Sequence, residues 1–334
     1  MTEKEKRNED IDVVVTWVEG NDPKHIEKRN EYLDKVEEDA TSCGTLVWRF
    51  VEVNEIRYCL YSLRKFAPWI RNIYLVTDDQ CPTWLNSETQ EKLGVKIIDH
   101  KVIFRDHLDA LPTFNIKSIN SLLHKIPGLA DKFITLNDDS CFVSQVNPED
   151  FVTNGKYILR GNWKNNKPGA FKILKKWAKH LLVNKSLKNF EIKNESSSVL
   201  AANMAGLEHQ HFELAHSPQP YSKTLLEDFY TQNQNYLAEN VKYKFRNNNQ
   251  TSAVAISTHL ILKENLAIIR QADDAMLIIP RYSGLKDQRP KFDALKRGNH
   301  GKKFLCFQDL AFLKQENPEE FQEVIDWLEE TIMR

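Results

Sequence analysis

The sequence predicts an α/β protein with a mostly parallel sheet flanked by helices. Up to Phe142, short apolar and β-branched runs alternate with segments that have helical spacing. This alternation favours βαβ units, in which helices cover the faces of a parallel sheet. Ligands of such sheets bind beyond the carboxyl ends of the strands. The residues that follow each run are therefore the first candidates for function.

Four segments are predicted as strands. They are IDVVVTWV at 11–18, NIYLVT at 72–77, VKIID at 95–99 and FITL at 133–136. Continuous apolar runs of this length are typical of parallel strands buried on both faces. The residues at their carboxyl ends include Thr16 and Trp17, Asp78 and Asp79, and the triplet Asn137, Asp138 and Asp139.

Helices are predicted between the strands and at the end of the chain. Residues 54–66 have apolar residues at helical spacing before Pro68 ends the helix, and residues 118–126 look helical. Near the C-terminus, Asn317 can cap a helix whose first turn accommodates Pro318. Its apolar stripe consists of Phe321, Val324, Ile325, Leu328 and Ile332.

The predicted organisation has four parts. Residues 1–10 form a disordered N-terminus, 11–154 the first part of a catalytic α/β domain, 155–205 a basic helical insertion and 206–334 the second part with the C-terminal helix. Residues 163–188 contain eight lysines and no acidic residue. A basic amphipathic helix is typical of a peripheral membrane contact or of a helix that packs its apolar stripe on the core.

The composition excludes several classes of protein. The 46 basic and 47 acidic residues nearly balance, so no nucleic acid is expected as a partner. Five scattered cysteines lack the spacing of a zinc site or a disulfide framework. The first residues, MTEKEKRNEDIDVVV, lack the apolar stretch of a signal peptide, and no run approaches the length of a membrane span. We therefore expect a reduced, cytoplasmic protein.

Adjacent carboxylates at a strand end have two chemical uses. Asp138 and Asp139 could hold a divalent cation, because Mg²⁺ prefers one or two carboxylates together with substrate phosphates. One of them could also act as a general base on a hydroxyl. The alternative is an Asx turn with no function beyond its geometry.

Downstream of these carboxylates, the stretch LEHQHFELAHSPQP and a basic loop at 240–252 supply further candidates. Two prolines fix the frame of His216, whereas His209 and His211 lie in a pattern that is not strongly β and are more typical of surface or packing residues. Arg246 and Lys244 could contact phosphate, since arginine offers paired donors, or could be solvated surface charges. The chain has no phosphate-binding G-x-x-x-x-G-K-S/T loop, no G-x-G-x-x-G and no G-x-S-x-G.

Several long segments resemble one known family. IDVVVTWVEGNDP at 11–23, RFVEVNEIRYCLYSLRKFAPWIRNIYLVTDDQCPTWL at 49–85 and LPTFNIKSINSLLHKIPGLADKFITLNDDSCF at 111–142 look like the first two blocks of the Stealth family. LAHSPQPYSKTLLEDF at 214–229 resembles the third block, and KKFLCFQDLAF at 302–312 weakly resembles the fourth. Members of this family include bacterial capsular and cell-wall polysaccharide phosphotransferases and the eukaryotic N-acetylglucosamine-1-phosphotransferase.

The resemblance implies a fold and a reaction. The fold is a Rossmann-like α/β core. The reaction moves a hexose-1-phosphate or N-acetylhexosamine-1-phosphate from a UDP-sugar to a hydroxyl of a glycan acceptor, often lipid-linked, and releases UMP. Mg²⁺ or Mn²⁺ is the expected cofactor. The implied location is the cytoplasm, with peripheral contact to the inner face of the bacterial plasma membrane through residues 163–188.

The resemblance also implies roles for particular residues. The catalytic residues would be Asp139, His216 and Arg246. The residues near the nucleotide would be Trp17, Asp22, Arg57, Asp78 and Asn137. Asp138 and Asp309 would hold the metal, with Asp139 a further possible ligand. The fourth block normally reads C-x-N-D, whereas this chain has Gln308 before Asp309, so the role of Gln308 stays open.

Two other functions remain compatible with the same residues. A glycosyltransferase of similar architecture would attack the anomeric carbon of the sugar and release UDP. An inactive glycan-binding or scaffold protein would show no metal-dependent turnover.

Overall fold

The computed structural model describes residues 10–33, 50–166, 192–280, 284–298 and 301–334. The strands are β1 (Ile11–Thr16), β2 (Ile73–Thr77), β3 (Val95–Asp99), β4 (Lys132–Asn137), β5 (Ser140–Phe142), β6 (Val152–Thr153), β7 (Lys156–Asn165), β8 (Gln210–Leu214), β9 (Gln219–Ser222), β10 (Ala267–Arg270), β11 (Ala275–Ile278) and β12 (Phe304–Phe307). The helices are α1 (Pro23–Leu33), α2 (Glu55–Phe66), α3 (Ser87–Leu93), α4 (His100–Ile103), α5 (Ile116–Ser121), α6 (Ile192–Met204), α7 (Lys223–Gln232), α8 (Gln234–Val241), α9 (Ala253–Lys263), α10 (Arg289–Lys296), α11 (Leu310–Glu316) and α12 (Pro318–Leu328).

The central sheet has the strand order β3-β2-β1-β4-β9. The first four of these strands run parallel to one another, and β9 pairs with β4 in the antiparallel direction. In the register of β1, Thr16 lies opposite Val76 on one side and Asn137 on the other. The carboxyl ends of three strands are therefore level, and the predicted α/β fold with a parallel sheet flanked by helices is confirmed.

Both faces of this sheet are buried, which explains the continuous apolar runs of its strands. Successive side chains of a strand point to opposite faces. Val13 and Val15 of β1 accordingly pack with Leu60 of α2, and Val14 packs with Leu122 and other residues of the second face. A strand covered on two sides has no place for the alternating polar residues of a half-exposed strand.

Two smaller sheets extend the domain. In one, β7 pairs with β6, β8 and β10. In the other, the order is β11-β12-β5, and β12 runs antiparallel to β5. Because β5 follows β4 after only two residues, β12 lies beside the turn that contains Asp138 and Asp139. The third sheet thus connects the C-terminal part of the chain to the carboxyl edge of the central sheet.

At the amino ends of its strands, the central sheet is held by a buried carboxylate. Asp12 has an exposed fraction of 0%. It accepts hydrogen bonds from Arg71 Nε at 2.9 Å and Nη2 at 2.6 Å, and from the backbone N–H groups of Asn72 at 3.1 Å and Ala130 at 2.7 Å. A buried charge of this kind is tolerated because it is fully paired. Asp12 joins the loops that precede β2 and β4, and so helps to set the register of both strands.

The C-terminal helix has the predicted start. The side chain of Asn317 accepts a hydrogen bond from the backbone N–H of Glu320, and Pro318 is the first residue of α12. Val324, Leu328 and Ile332 are buried against β12 and its neighbours. The predicted cap and apolar stripe are confirmed.

Three predicted segments differ from the structure. The predicted helix at 118–126 is divided into α5 and a 3₁₀ turn at Leu123–Lys125. The insertion predicted to be helical from 155 onward begins with the ten-residue strand β7. His211 lies on a strand, β8, although the sequence pattern there is not strongly β, because a short, half-exposed strand has little apolar periodicity.

Some predictions fall outside the described residues. The basic amphipathic helix predicted within 163–188 falls almost entirely in residues 167–191, which are outside the described ranges. Of the N-terminus predicted to be disordered, residues 1–9 are also outside them. Among the helices of the described ranges, none combines the length and apolar character required to cross a membrane.

The stability of the fold should fall in mild acid because of buried neutral histidines. His124 stacks on Tyr230 at a ring distance of 5.2 Å, and burial lowers its pKa to about 4. Below pH 6.5 the unfolded chain therefore binds a proton that the folded chain excludes, and stability is lost as pH falls. Between pH 7 and pH 5 we expect this histidine alone to lower the free energy of unfolding by about 2 kcal/mol.

Urea unfolding of His124→Gln at the two pH values tests this expectation. The variant should lose less stability than the parent chain on acidification, by about the amount given above. The matched control is His209→Gln, because His209 is exposed. An equal pH dependence of the parent and His124→Gln would contradict the assignment.

Candidate active site

The acidic pair lies where β4 leaves the central sheet. Asn137 ends β4 in an exposed position, and the chain turns through Asp138 and Asp139 into β5. The carbonyl of Asp139 accepts a hydrogen bond from Phe307 N–H at 3.0 Å. The turn is therefore held by β12 in a conformation that directs both carboxylates to the sheet edge.

A pocket of about 220 Å³ opens at this edge. It is lined by the carboxyl ends of β1, β2 and β4, by residues of α1, α2, α4, α5 and α11, and by the loops that carry Phe50, Phe114 and Arg246. Of the residues predicted from the sequence, the pocket wall contains Trp17, Asp78, Asn137, Asp138, Asp139, Arg246 and Asp309. The structure therefore brings seven predicted residues from five separate segments into one cavity.

One wall of the pocket is strongly acidic. Burial raises the pKa of Asp138 to about 8, and the nearby charges of Asp139 and Glu52 add to the shift. Burial also raises the pKa of Glu55 well above its usual range, and the charges of Asp138, Asp139, Glu52 and Asp309 contribute. One oxygen of Glu52, Oε1, is buried without a hydrogen-bond partner. Carboxylates gathered in this way repel one another when ionised, so a cation would be favoured there.

Glu55 was not predicted from the sequence. It is the first residue of α2, where an acidic side chain is common because it interacts favourably with the helix dipole. Glu55 could have been identified from its position relative to the apolar residues of α2, because this position turns its side chain toward the sheet edge.

Asp309 approaches the pocket from the third sheet. It precedes α11 and has a left-handed backbone with φ of 61°, an uncommon conformation that residues other than glycine adopt at some cost. Strained backbone of this kind concentrates at functional sites, where the surrounding structure holds it in place.

His216 lies beside Asp139 but outside the pocket wall. Its Nε2 atom is 3.3 Å from Cys306 Sγ and 3.4 Å from the amide nitrogen of Gln308. Burial raises the pKa of Asp139, and the neighbouring His216 imidazole opposes that shift. Gln308 itself lines the pocket. The glutamine that departs from the family pattern therefore stands between His216 and the cavity.

Arg246 reaches the pocket from the loop between α8 and α9. The loop is anchored by buried amide side chains: Asn115 donates hydrogen bonds to the carbonyls of Tyr243 at 3.1 Å and Phe245 at 2.8 Å, and to Gln250 Oε1 at 2.8 Å. Phe245 also stacks on Phe114, with ring centroids 5.4 Å apart. Contacts of the residues before and after Arg246 in the sequence therefore fix its position, although the loop has no regular secondary structure.

Three other predicted contributors lie elsewhere. Asp22 accepts a hydrogen bond from Gln80 Nε2 at 2.9 Å, and Arg57 pairs with Glu329 at 3.8 Å. Lys244 donates to the carbonyls of Asp109 and Leu111. None of these three is in the pocket wall. Arg57 is two residues from Glu55 on α2, a rotation of about 200° that turns it to the opposite face of the helix.

The side chains of the pocket that could be metal ligands fit a metal ion only in part. Within the ranges that the structure describes, no three or more His, Cys, Asp or Glu side chains are arranged to hold a metal ion. Mg²⁺ commonly takes only one or two protein carboxylates and completes its shell with water and substrate phosphates. The acidic wall around Asp138 and Asp139 agrees with a cation of that kind.

Comparison with known proteins found two family models that match parts of the chain. Conserved region 1 of the Stealth proteins matches residues 9–37, and conserved region 2 matches residues 49–159. The chain is therefore similar to the Stealth proteins over these two regions, and the resemblance predicted from the sequence is confirmed.

Several relatives are named as polysaccharide phosphotransferases. An exopolysaccharide phosphotransferase of Streptomyces coelicolor is 49% identical over 129 residues, which are 39% of this chain and 13% of that protein. The capsular polysaccharide phosphotransferase of Actinobacillus suis is 40% identical over 145 residues, 43% of this chain and 38% of the relative. That of Haemophilus influenzae is 47% identical over 129 residues, 39% of this chain and 34% of the relative. The matches thus span less than two fifths of each relative.

Among solved structures, the apo form of mouse xyloside xylosyltransferase 1 is similar over 89% of this chain and 97% of its own. The TM-score is 0.38 and the sequence identity is 12%.

The anchoring of the Arg246 loop can be tested through stability. Asn115→Ala removes the hydrogen bond to the carbonyl of Phe245 and the side-chain acceptor for the backbone N–H of Lys117 at the start of α5. The carbonyl of Tyr243 and Gln250 Oε1 each keep another donor. We expect the free energy of unfolding to fall by about 3 kcal/mol, because each buried polar group without a partner costs about 1–3 kcal/mol.

The control is Asn86→Ala, which removes only the exposed cap of α3. Loss of such a cap costs about 1 kcal/mol. Urea unfolding of both variants measures the difference. Equal losses in the two variants would show that the buried amides do not hold the loop.

Proposed function

We propose that this chain is a polysaccharide phosphotransferase. In this reaction a hexose-1-phosphate or N-acetylhexosamine-1-phosphate passes from a UDP-sugar to a hydroxyl of a glycan. The phosphotransferase names of the relatives support the class of activity. The donor, the acceptor and the released nucleotide are part of the proposal.

The observation that carries the proposal is the opposition of charge across one pocket. Asp138 and Asp139 line it at the end of β4, and Arg246 lines it from the loop before α9. Phosphoryl transfer demands mainly positioning and electrostatic stabilisation from a protein. An arginine offers paired donors to phosphoryl oxygens, and an acidic pair offers a proton acceptor and a seat for a cation.

The reaction balances as follows. The acceptor hydroxyl oxygen forms a bond to the β-phosphorus, and the bond from that phosphorus to the oxygen bridging the two phosphates breaks. The hydroxyl proton passes to Asp139, and UMP leaves with the bridging oxygen. Arg246 and His216 stabilise the negative charge that spreads over the phosphoryl oxygens. His216 is suited to this role by its position beside Asp139, next to Gln308 of the wall.

Asp138 and Asp309 are the residues that would hold Mg²⁺ or Mn²⁺. When bound, such a cation neutralises charge on the diphosphate and makes the nucleotide a better leaving group. Trp17, Asp78 and Asn137, which line the same pocket, are proposed to contact the donor.

The acceptor is proposed to be a glycan, in keeping with the names of the relatives, and lipid-linked at the inner face of the bacterial plasma membrane. Of the segment predicted to contact the membrane, residues 167–188 lie outside the described residues. That contact therefore stays a prediction.

The first test identifies the product. The full chain is incubated with Mg²⁺, a panel of nucleotide sugars and a capsular glycan acceptor, and the mixture is followed by phosphorus NMR. We expect a new phosphodiester signal together with UMP. Release of UDP instead would identify a glycosyltransferase, and the absence of metal-dependent turnover with every donor would favour a binding or scaffold protein.

The second test concerns the general base. Asp139→Asn keeps the shape of the side chain but removes the proton acceptor. We expect turnover to fall about 10³-fold, while the dissociation constant for the nucleotide sugar stays within a few fold.

The matched control is Asp79→Asn. Asp79 also follows a strand of the central sheet and has a left-handed φ of 54°, but it is exposed and outside the pocket wall. Its variant should retain turnover. If Asp139→Asn turned over at a rate close to that of the control, Asp139 would not be the base.

A further inference from the structure

One end of the pocket contains buried polar groups without partners. The ring nitrogens of His25, the Nδ1 atom of His100 and the indole Nε1 atom of Trp17 have no hydrogen-bond partner among the described residues. These side chains are 5%, 6% and 6% exposed, and all three line the pocket. A buried donor or acceptor left unpaired costs about 1–3 kcal/mol. Three such groups at one end of a cavity therefore indicate a ligand that supplies the missing partners.

The charge of these groups limits the kind of ligand. Burial lowers the pKa of His25, Arg29 lowers it further, and Asp78 and Asp22 oppose the shift. Burial lowers the pKa of His100 to about 4, again against the charges of Asp78 and Asp99. Both rings are therefore neutral near pH 7, and each offers one donor and one acceptor. Such a pair suits an uncharged polar group better than a phosphate, which has acceptors only.

The walls around the histidines are aromatic. The ring of His25 lies 5.8 Å from that of Phe50 and 5.4 Å from that of Phe114. Both phenylalanines line the pocket. A flat, polar-edged ring fits against these aromatic walls with its edge toward the unpaired nitrogens. A nucleobase is such a ring, and the edge of uracil alternates two carbonyl acceptors with one N–H donor.

The aromatic walls also connect this end of the pocket to the acidic end. Phe114 contacts His25 on one side and stacks on Phe245 on the other. Phe245 directly precedes Arg246, which lines the pocket together with the acidic pair. A nucleotide with its base near His25 would thus have its phosphates directed toward Arg246.

We propose that His25, His100 and Trp17 form the subsite that binds the uracil base of the donor nucleotide, so that these residues determine which nucleotide is accepted. The inference rests on the proposed function, because it takes the donor to be a nucleotide sugar. It adds His25 and His100, which lie on α1 and α4, to the residues that contact the donor.

Calorimetric titration of the full chain tests the subsite, with UDP, CDP, GDP and inorganic pyrophosphate as probes in the presence of Mg²⁺. The parent chain should bind UDP more tightly than CDP or GDP. His25→Leu should weaken UDP at least 10-fold and leave pyrophosphate within twofold of the parent value. His25→Gln retains one donor and one acceptor and should recover part of the loss.

Retained pyrophosphate binding also shows that each variant is folded, and His100→Asn provides an independent second variant with the same expected pattern. Equal weakening of UDP and pyrophosphate would mean that the histidines contact phosphate, and unchanged UDP binding in both histidine variants would mean that the base lies elsewhere. Either result overturns the subsite but leaves the proposed function standing. If the parent chain bound neither UDP nor any other nucleotide, the proposed function itself would fail.

Discussion

The parallel register of three strands is the constraint on which the site depends. Thr16 of β1 lies opposite Val76 of β2 and Asn137 of β4, so the three strands end at the same level. The loops that follow them carry Trp17, Asp78 and the acidic pair, and all of these line one pocket. A slip of one residue in any of these pairings would turn the buried side chains to the wrong face. The packing of the core therefore also fixes the geometry of the site.

The arrangement of the pocket costs the folded chain some stability, and other parts of the fold compensate for it. Carboxylates are gathered on one wall, Asp309 has a left-handed backbone, and several buried nitrogens have no partner among the described residues. The third sheet offsets part of this cost, because β12 holds the turn of Asp139 by a backbone hydrogen bond and continues directly into Gln308 and Asp309. Stability given up at one place in this way is characteristic of sites prepared for a charged ligand.

Much of this arrangement could be predicted from the sequence, for identifiable reasons. The strands of the central sheet are continuous apolar runs, and a doublet of aspartates after such a run is hard to explain as part of a core. By contrast, Glu55 resembles an ordinary acidic residue in the first turn of a helix, and His25 and His100 resemble ordinary polar residues. Their importance arises only from tertiary burial, which periodicity does not report. The resemblance implies that Asp22 and Arg57 lie near the nucleotide, but their side chains make contacts outside the pocket wall.

The central claim is that a divalent cation and a nucleoside diphosphate meet in this pocket. Its most direct test is anomalous diffraction from crystals of the full chain grown with Mn²⁺ and UDP. The account predicts a manganese peak at the carboxylate oxygens of Asp138, with the diphosphate between that ion and Arg246. A diphosphate bound away from Arg246, or manganese bound far from Asp138, would contradict it.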